Sequence, residues 1–187
     1  MARTKQYKEE DVIQKAMNLF WRNGYEATSV RMLEKEMGIN QFSIYSSFGS
    51  KRGVFVESIK AYKLELNKIR VSLKNSSNGI VGIKQFFYDF LDFTKENEVR
   101  KGCLVCNAVS ELATNAEPEL MVELMKFTEE IKSLFINNLK QDKNRTEEII
   151  EKESNFLTTS LLGLSLGSRF QSETQLEDYI EMIFKRI

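Results

Sequence analysis

Histidine is missing from this chain, proline occurs once and cysteine twice in 187 residues. Without histidine there is no His-based catalytic triad, no usual general base and no common route to a catalytic zinc site. One proline and nine glycines leave few helix breakers. Together with abundant Leu, Ile, Lys, Glu and Phe, this predicts an all-α protein. Two cysteines are too few for a disulfide scaffold. No apolar run is long enough to span a bilayer, and the first residues lack an apolar signal core. The expectation is a soluble, cytoplasmic protein with no membrane association. Asn75 and Asn144 match the glycosylation pattern but read as chance without an export signal. No enzyme is expected, with no catalytic residues, no metal ligands and no cofactor.

What is present is unevenly distributed. The 27 basic and 27 acidic residues cancel overall, yet residues 1–75 hold 14 Lys/Arg against 8 Asp/Glu. The remainder is acidic by the same margin. A basic first third points to a polyanionic partner for that third alone.

That third contains Thr28 to Arg52, TSVRMLEKEMGINQFSIYSSFGSKR. Thr28 or Ser29 can cap a helix whose apolar stripe is Val30, Leu33 and Met37. Gly38 suits a left-handed end to it. Asn40 can cap a second, short helix, and Ser50 a third opening at Lys51. Helix, glycine turn, short polar-faced helix is the layout of a helix-turn-helix, whose second helix enters a DNA major groove. From Asn40 to Ser50 there is no charged residue, which is unusual for a solvated face. Gln41, Phe42, Ser43, Ser46 and Ser47 are its expected exposed positions. Lys51 stands where the helix dipole disfavours a cation, which makes sense if a phosphate lies in front of that helix end. Gln41 can pair with adenine and Phe42 can touch a thymine methyl or pack on its own protein.

Helical spacing continues on both sides. A first helix is predicted from Lys8 to Asn23, with a basic tail at Arg3, Lys5 and Lys8 before it. A long helix from Lys51 to Asn75 ends at the linker-like run Asn75 to Gly79. An aromatic-rich helix follows from Ile80 to Glu96, then a short one from Gly102 to Thr114. Pro118 stands early in the next, which reaches Lys140. Asn144 or Thr146 caps a helix to Ser168, and Thr174 to Glu177 reads as a capping box for the last. The last two helices carry more apolar surface than one bundle needs. Small residues Ser160, Gly163, Ser165 and Gly167 would permit close helix approach. A homodimer is expected, with Leu157, Leu161, Leu164, Ile180, Ile183 and Phe184 at its interface.

Cys103 and Cys106 offer two metal ligands without a second pair. They read as small core residues or, near a helix N-terminus beside Arg100 and Lys101, as a thiol sensor. A pocket for a small, apolar or aromatic effector is expected among Phe86, Phe90, Cys106, Asn107, Ser110, Phe127, Ile131, Phe156 and Ser160.

The segments LFWRNGYEATSV and LEKEMGINQFSIYSSFGSKRGVF, with the frame Gly38, Tyr45, Phe48 and Lys51, resemble the DNA-binding domain of TetR/AcrR-type repressors over residues 8–56. KGCLVCNAVSEL and LLGLSLGSRF resemble the regulatory domain of one branch. The resemblance implies a three-helix DNA-binding domain over 1–53, a regulatory and dimerisation domain over 54–187, and about nine helices. It implies a palindromic double-stranded operator and release by a small molecule. Carried over by position, it puts Ser29 and Lys51 on phosphates and Tyr45 on phosphate or base. Gln41, Phe42, Ser43 and Ser46 then face the groove, with Asn40 and Ser47 completing the DNA-binding set. The family most often has glycine where this chain has Phe42. A reading from a different class also fits the pattern: a thiol-based redox protein or partner-binding bundle without DNA.

Overall fold

The computed structural model describes residues 7–96, 99–112, 118–185 and 187. The tail at Arg3 and Lys5 and the helix end expected at Thr114 lie outside them. Apart from one two-residue strand pair, the regular structure of the described chain is helical. Its ten helices are α1 (Glu9–Asn23), α2 (Val30–Met37), α3 (Gln41–Phe48), α4 (Lys51–Glu65), α5 (Asn67–Lys74), α6 (Ile80–Phe93), α7 (Leu104–Leu112), α8 (Pro118–Leu139), α9 (Glu147–Gly167) and α10 (Glu173–Phe184). A two-residue antiparallel pairing, β1 (Lys95–Glu96) with β2 (Val99–Arg100), joins α6 to α7.

Local chemistry sets most helix starts. Ser29, Asn40, Ser50 and Thr146 each occupy an N-cap, and each side chain accepts a backbone N–H from three residues on. Thr28 is buried instead, its hydroxyl donating to the Gly24 carbonyl at 2.6 Å. Gly38 ends α2 in the left-handed conformation, φ 72°, which a side chain would resist. The capping box of α10 is formed by Ser172 and Gln175, two residues before the place expected from Thr174 and Glu177. There Gln175 reaches back to the Ser172 amide, a bond that Glu177 sits too far along the helix to make.

The long helix expected from Lys51 to Asn75 is interrupted at Leu66, between α4 and α5. Leu66 keeps near-helical angles and is buried, so the apolar stripe stays inward across the break. Helix α1 packs along α4, and α3 crosses the start of α4. That crossing requires Gly53, because a Cβ there would stand 1.8 Å from the Phe48 carbonyl oxygen. Behind this head, α5, α6, α8, α9 and α10 form the body, with α7 touching α1, α4, α8 and α9.

One core runs through both parts. Phe20, Tyr25 and Phe55 cluster in the head, and Phe86, Phe87, Phe135 and Phe184 in the body. Between them Trp21 meets Tyr62 and Phe93, with ring centroids 5.1 and 5.6 Å away.

The expected dimer residues are where the structure departs most from the sequence reading. Leu157, Leu161, Leu164, Ile180 and Ile183 are buried inside the single chain, and Phe184 packs on Phe87. They hold α9 and α10 to the body, and of the six only Phe184 keeps part of its surface open. The exposed apolar residues of α9, α10 and the turn between them are Ile149, Phe156, Leu162, Leu166, Phe170, Tyr179 and Met182. The small residues also serve contacts within the chain. A Cβ on Gly163 would meet the Tyr179 hydroxyl at 2.8 Å, and that hydroxyl donates to the Ser160 carbonyl. Ser165 Oγ accepts the Cys103 amide at 2.8 Å.

Candidate nucleic-acid interface and thiol site

Helix α3 is held by Ile44, which is fully buried, with Phe48 half-buried at its end. The face opposite is therefore free to point outward. Gln41, Phe42, Tyr45 and Ser46 are exposed, and Phe42 keeps 80% of its surface open to solvent. Gln41 Nε2 donates to the Tyr45 hydroxyl at 3.2 Å, one turn along the same face. The Glu34 carboxylate accepts the Gln41 amide, a second group at the α3 N-terminus beside the Asn40 cap.

Ser43 and Ser47 are turned away from that face. Tyr7 hydrogen-bonds the Ser47 hydroxyl at 2.8 Å and reaches the Ser43 carbonyl at 3.5 Å. Tyr7 thus anchors the chain before α1 onto α3, a contact the sequence reading missed. An aromatic residue just ahead of a helix start was the one available signal.

Lys51 lies in the first turn of α4, as expected. Its ammonium donates to the Glu26 carbonyl at 3.3 Å and sits 4.3 Å above the Tyr25 ring. These contacts offset the unfavourable helix dipole and aim the cation at the α1–α2 corner. The same corner is clamped from the body. Both oxygens of Glu111, on α7, accept backbone N–H groups, those of Tyr25 and Glu26, each at 2.8 Å.

The other end of α7 carries the two cysteines. Trp21 donates its indole N–H to the Gly102 carbonyl at 2.9 Å, and Lys101 lies over its ring. Cys103 precedes the first residue of α7 and is buried; Cys106 is one turn further and partly exposed. Burial alone would push the Cys103 thiol up. The Cys106 thiol, the Tyr62 hydroxyl that lies against the sulfur, and the amides of Cys106 and Val105 outweigh it and bring the group to about 7. Cys106 moves the opposite way, pushed up by its hydrogen bond to Cys103 and by burial.

Five of the nine expected effector residues surround a small cavity: Phe86, Phe90, Cys106, Phe127 and Ile131. Leu66, Cys103, Thr128, Thr158, Leu161 and Leu162 complete it. The other four are elsewhere. Asn107 is engaged by the Lys101 carbonyl, Ser110 and Phe156 are exposed, and Ser160 packs under Tyr179. The cavity measures about 20 Å³, room for roughly one water. Among the described residues no three Cys, Asp or Glu side chains gather as metal ligands, and no helix is long and apolar enough to cross a membrane.

Comparison with known proteins agrees with this geometry. Residues 12–57 match the family model of bacterial regulatory proteins, tetR family. The uncharacterized HTH-type transcriptional regulator YezE of Bacillus subtilis (strain 168) is 25% identical over 190 residues, covering 97% of each chain. The biofilm operon icaADBC HTH-type negative transcriptional regulator IcaR of Staphylococcus aureus (strain Newman) is 26% identical, covering 92% of this chain and 94% of its own. Among solved structures, a cysteine mutant of the TetR family transcriptional regulator CifR, complexed with 26-bp double-strand operator DNA, superposes with a TM-score of 0.85. It is 26% identical and covers 98% of both chains. Reduced E. coli NemR, at 17% identity and a TM-score of 0.78, shares the fold over 94% of this chain and 95% of its own. With its helix-turn-helix head on an all-helical body, this chain carries the DNA-binding domain of the bacterial tetR-family regulators at residues 12–57 and is similar to regulators of that type along nearly its whole length.

Proposed function

We propose that this chain is a homodimeric repressor that binds a palindromic double-stranded operator in the cytoplasm and is released by a small effector. The observation that carries this is the exposed face of α3, where Gln41, Phe42, Tyr45 and Ser46 stand uncharged and open on a short helix pinned by Ile44. An uncharged, outward face on a basic unit suits base edges, while cations at its margins suit phosphates. In this reading Gln41 and Phe42 read bases, Tyr45 and Ser46 support them, and Ser29, Asn40 and Lys51 hold backbone phosphates. Ser43 and Ser47 position α3 through Tyr7.

Residues 1–53 form the DNA-reading unit and residues 54–187 the regulatory and dimerisation unit. Dimerisation uses the outward apolar residues of α9 and α10 and the turn between them. Effector control acts at the cavity beside the cysteines. A drug-sized apolar or aromatic ligand needs about 300 Å³ or more, so it would have to open that cavity; a small thiol-reactive compound would not.

The test is selection of duplexes from a random pool by the reduced protein, followed by titration against the enriched sequence. Lys51→Ala is expected to weaken every duplex alike and lower the salt slope by about one. Gln41→Ala is expected to cost about 1–3 kcal/mol at one base position and relax preference there. Failure to enrich any duplex over random DNA at moderate salt would replace this reading with a thiol-based bundle that does not bind DNA.

A further inference from the structure

Outside the DNA-reading face, the most unusual chemistry is the pair Cys103 and Cys106 with Tyr62. We propose that these two thiols form a reversible internal disulfide on reaction with a hydroperoxide, and that this disulfide loosens DNA binding. The inference deepens the repressor reading above and rests on it for the regulatory half.

Three observations converge. Cys103 occupies the position before α7, and the amides of Val105 and Cys106 point at its sulfur, as they would at any N-cap acceptor. Cys106 lies three residues on, where an N-cap side chain meets the first turn, and its thiol hydrogen-bonds Cys103. The Tyr62 hydroxyl is buried and has no hydrogen-bond partner of good geometry among the described residues, yet it lies against Cys103. A buried hydroxyl left without a firm partner costs about 1–3 kcal/mol, a cost that a thiolate or an oxygen bound to that sulfur would relieve. Both cysteines border the cavity of about 20 Å³, which excludes a drug-sized molecule and admits a peroxide oxygen.

The chemistry balances within this site. The Cys103 thiolate attacks the terminal oxygen of the hydroperoxide, and the O–O bond breaks. The sulfur becomes a sulfenic acid, and the departing alkoxide takes up the proton released by Cys103, leaving as alcohol. Cys106 then attacks the Cys103 sulfur, the S–O bond breaks, and hydroxide leaves with the Cys106 proton as water. Two thiols and one hydroperoxide yield one disulfide, one alcohol and one water. The two electrons that reduce the O–O bond come from the sulfurs, and an external thiol reverses the change.

The consequence reaches the head through α7. Oxidation removes the anionic acceptor at the α7 N-terminus, which is held to Trp21 through Gly102. At its other end the same helix grips the Tyr25 and Glu26 amides through Glu111. A shift of α7 therefore moves the corner on which Lys51 rests.

The experiment treats the full chain with tert-butyl hydroperoxide. The expected result is loss of both thiols, a mass lower by two hydrogens, recovery with dithiothreitol, and operator affinity reduced about 5- to 150-fold, the usual span of allosteric coupling. Cys106→Ser should give instead a sulfenic acid on Cys103 that dimedone traps. Tyr62→Phe keeps the ring and should slow the reaction. In the parent chain the rate rises with pH, with a midpoint below that of an ordinary thiol, since only the thiolate attacks. In Tyr62→Phe that midpoint should move up. An unchanged mass, or oxygen added to both cysteines without the disulfide, overturns the proposal. A disulfide that forms while operator affinity stays unchanged overturns its regulatory half. Failure of the reduced protein to select any duplex strikes the repressor reading, and the mass spectrum still decides the disulfide.

Discussion

Leu166→Glu is expected to turn a dimer into a folded monomer and to lower operator affinity about 10²- to 10⁴-fold, the avidity that joining two binding units provides. Leu166 lies near the end of α9 with 57% of its surface exposed. Helical spacing places it with Phe156, Leu162 and Gly163, and the turn that follows adds Phe170, 73% exposed. Such a stripe is costly to leave in water, and two copies related by a two-fold axis would bury it against itself. Glutamate is a good helix former, and at an exposed site it does not disturb the single chain. Across a two-fold axis it would place two carboxylates close together and desolvate both. Light scattering would read the molar mass, circular dichroism the fold, and mobility shift the affinity. The control is Leu164→Glu, two residues earlier and fully buried. There the charge enters the core, and the expected outcome is an unfolded chain. If Leu166→Glu remains dimeric with full affinity, the interface lies on another face.

Trp21→Ala is expected to cost about 3–5 kcal/mol, a large share of the whole stability of a domain. The residue is the only tryptophan in the chain, and four bonds or contacts meet on it. Its ring packs edge-on against Tyr62 and beside Phe93, Lys101 covers it, and its N–H satisfies the Gly102 carbonyl. Truncation would empty the junction between head and body and leave that carbonyl buried without a donor. For a chain of this size the melting temperature should fall by roughly 6–20 °C. Trp21→Phe separates the two contributions. It keeps much of the packing, loses the hydrogen bond, and should cost about 1–3 kcal/mol. Thermal melts followed by circular dichroism measure both. A loss under about 1 kcal/mol for the alanine variant would show that head and body are not joined through this residue.

How much of this could be read before the fold was known depends on the range of the forces involved. Ser29, Asn40, Ser50 and Gly38 act on residues three or four positions away, so their roles are visible in the sequence, and all four hold in the structure. The capping box of α10 was misplaced by two residues because Ser172 and Gln175 and Thr174 and Glu177 have the same spacing; the structure uses the first.

The faces of α9 could not be assigned that way. Leucines surround this helix, so periodicity offers no means of telling which will meet α8 and α10 and which will stay outside. The body covers Leu157, Leu161 and Leu164 and leaves Leu162 and Leu166 out. Gly163, expected between protomers, was needed to let Tyr179 lie across α9.

By itself the sequence determined an all-helical chain, a helix-turn-helix head with its caps, a basic head on an acidic body, and a pair of cysteines one helical turn apart. These rest on composition and on interactions within one turn, which hardly depend on what packs around them. Only the tertiary structure decided that Trp21 meets Gly102, that Glu111 holds the Tyr25 and Glu26 amides, and that Tyr62 turns its hydroxyl to Cys103. Those partners lie some 40 to 90 positions apart in the chain. Nothing in local spacing brings them together; the burial of one continuous core does.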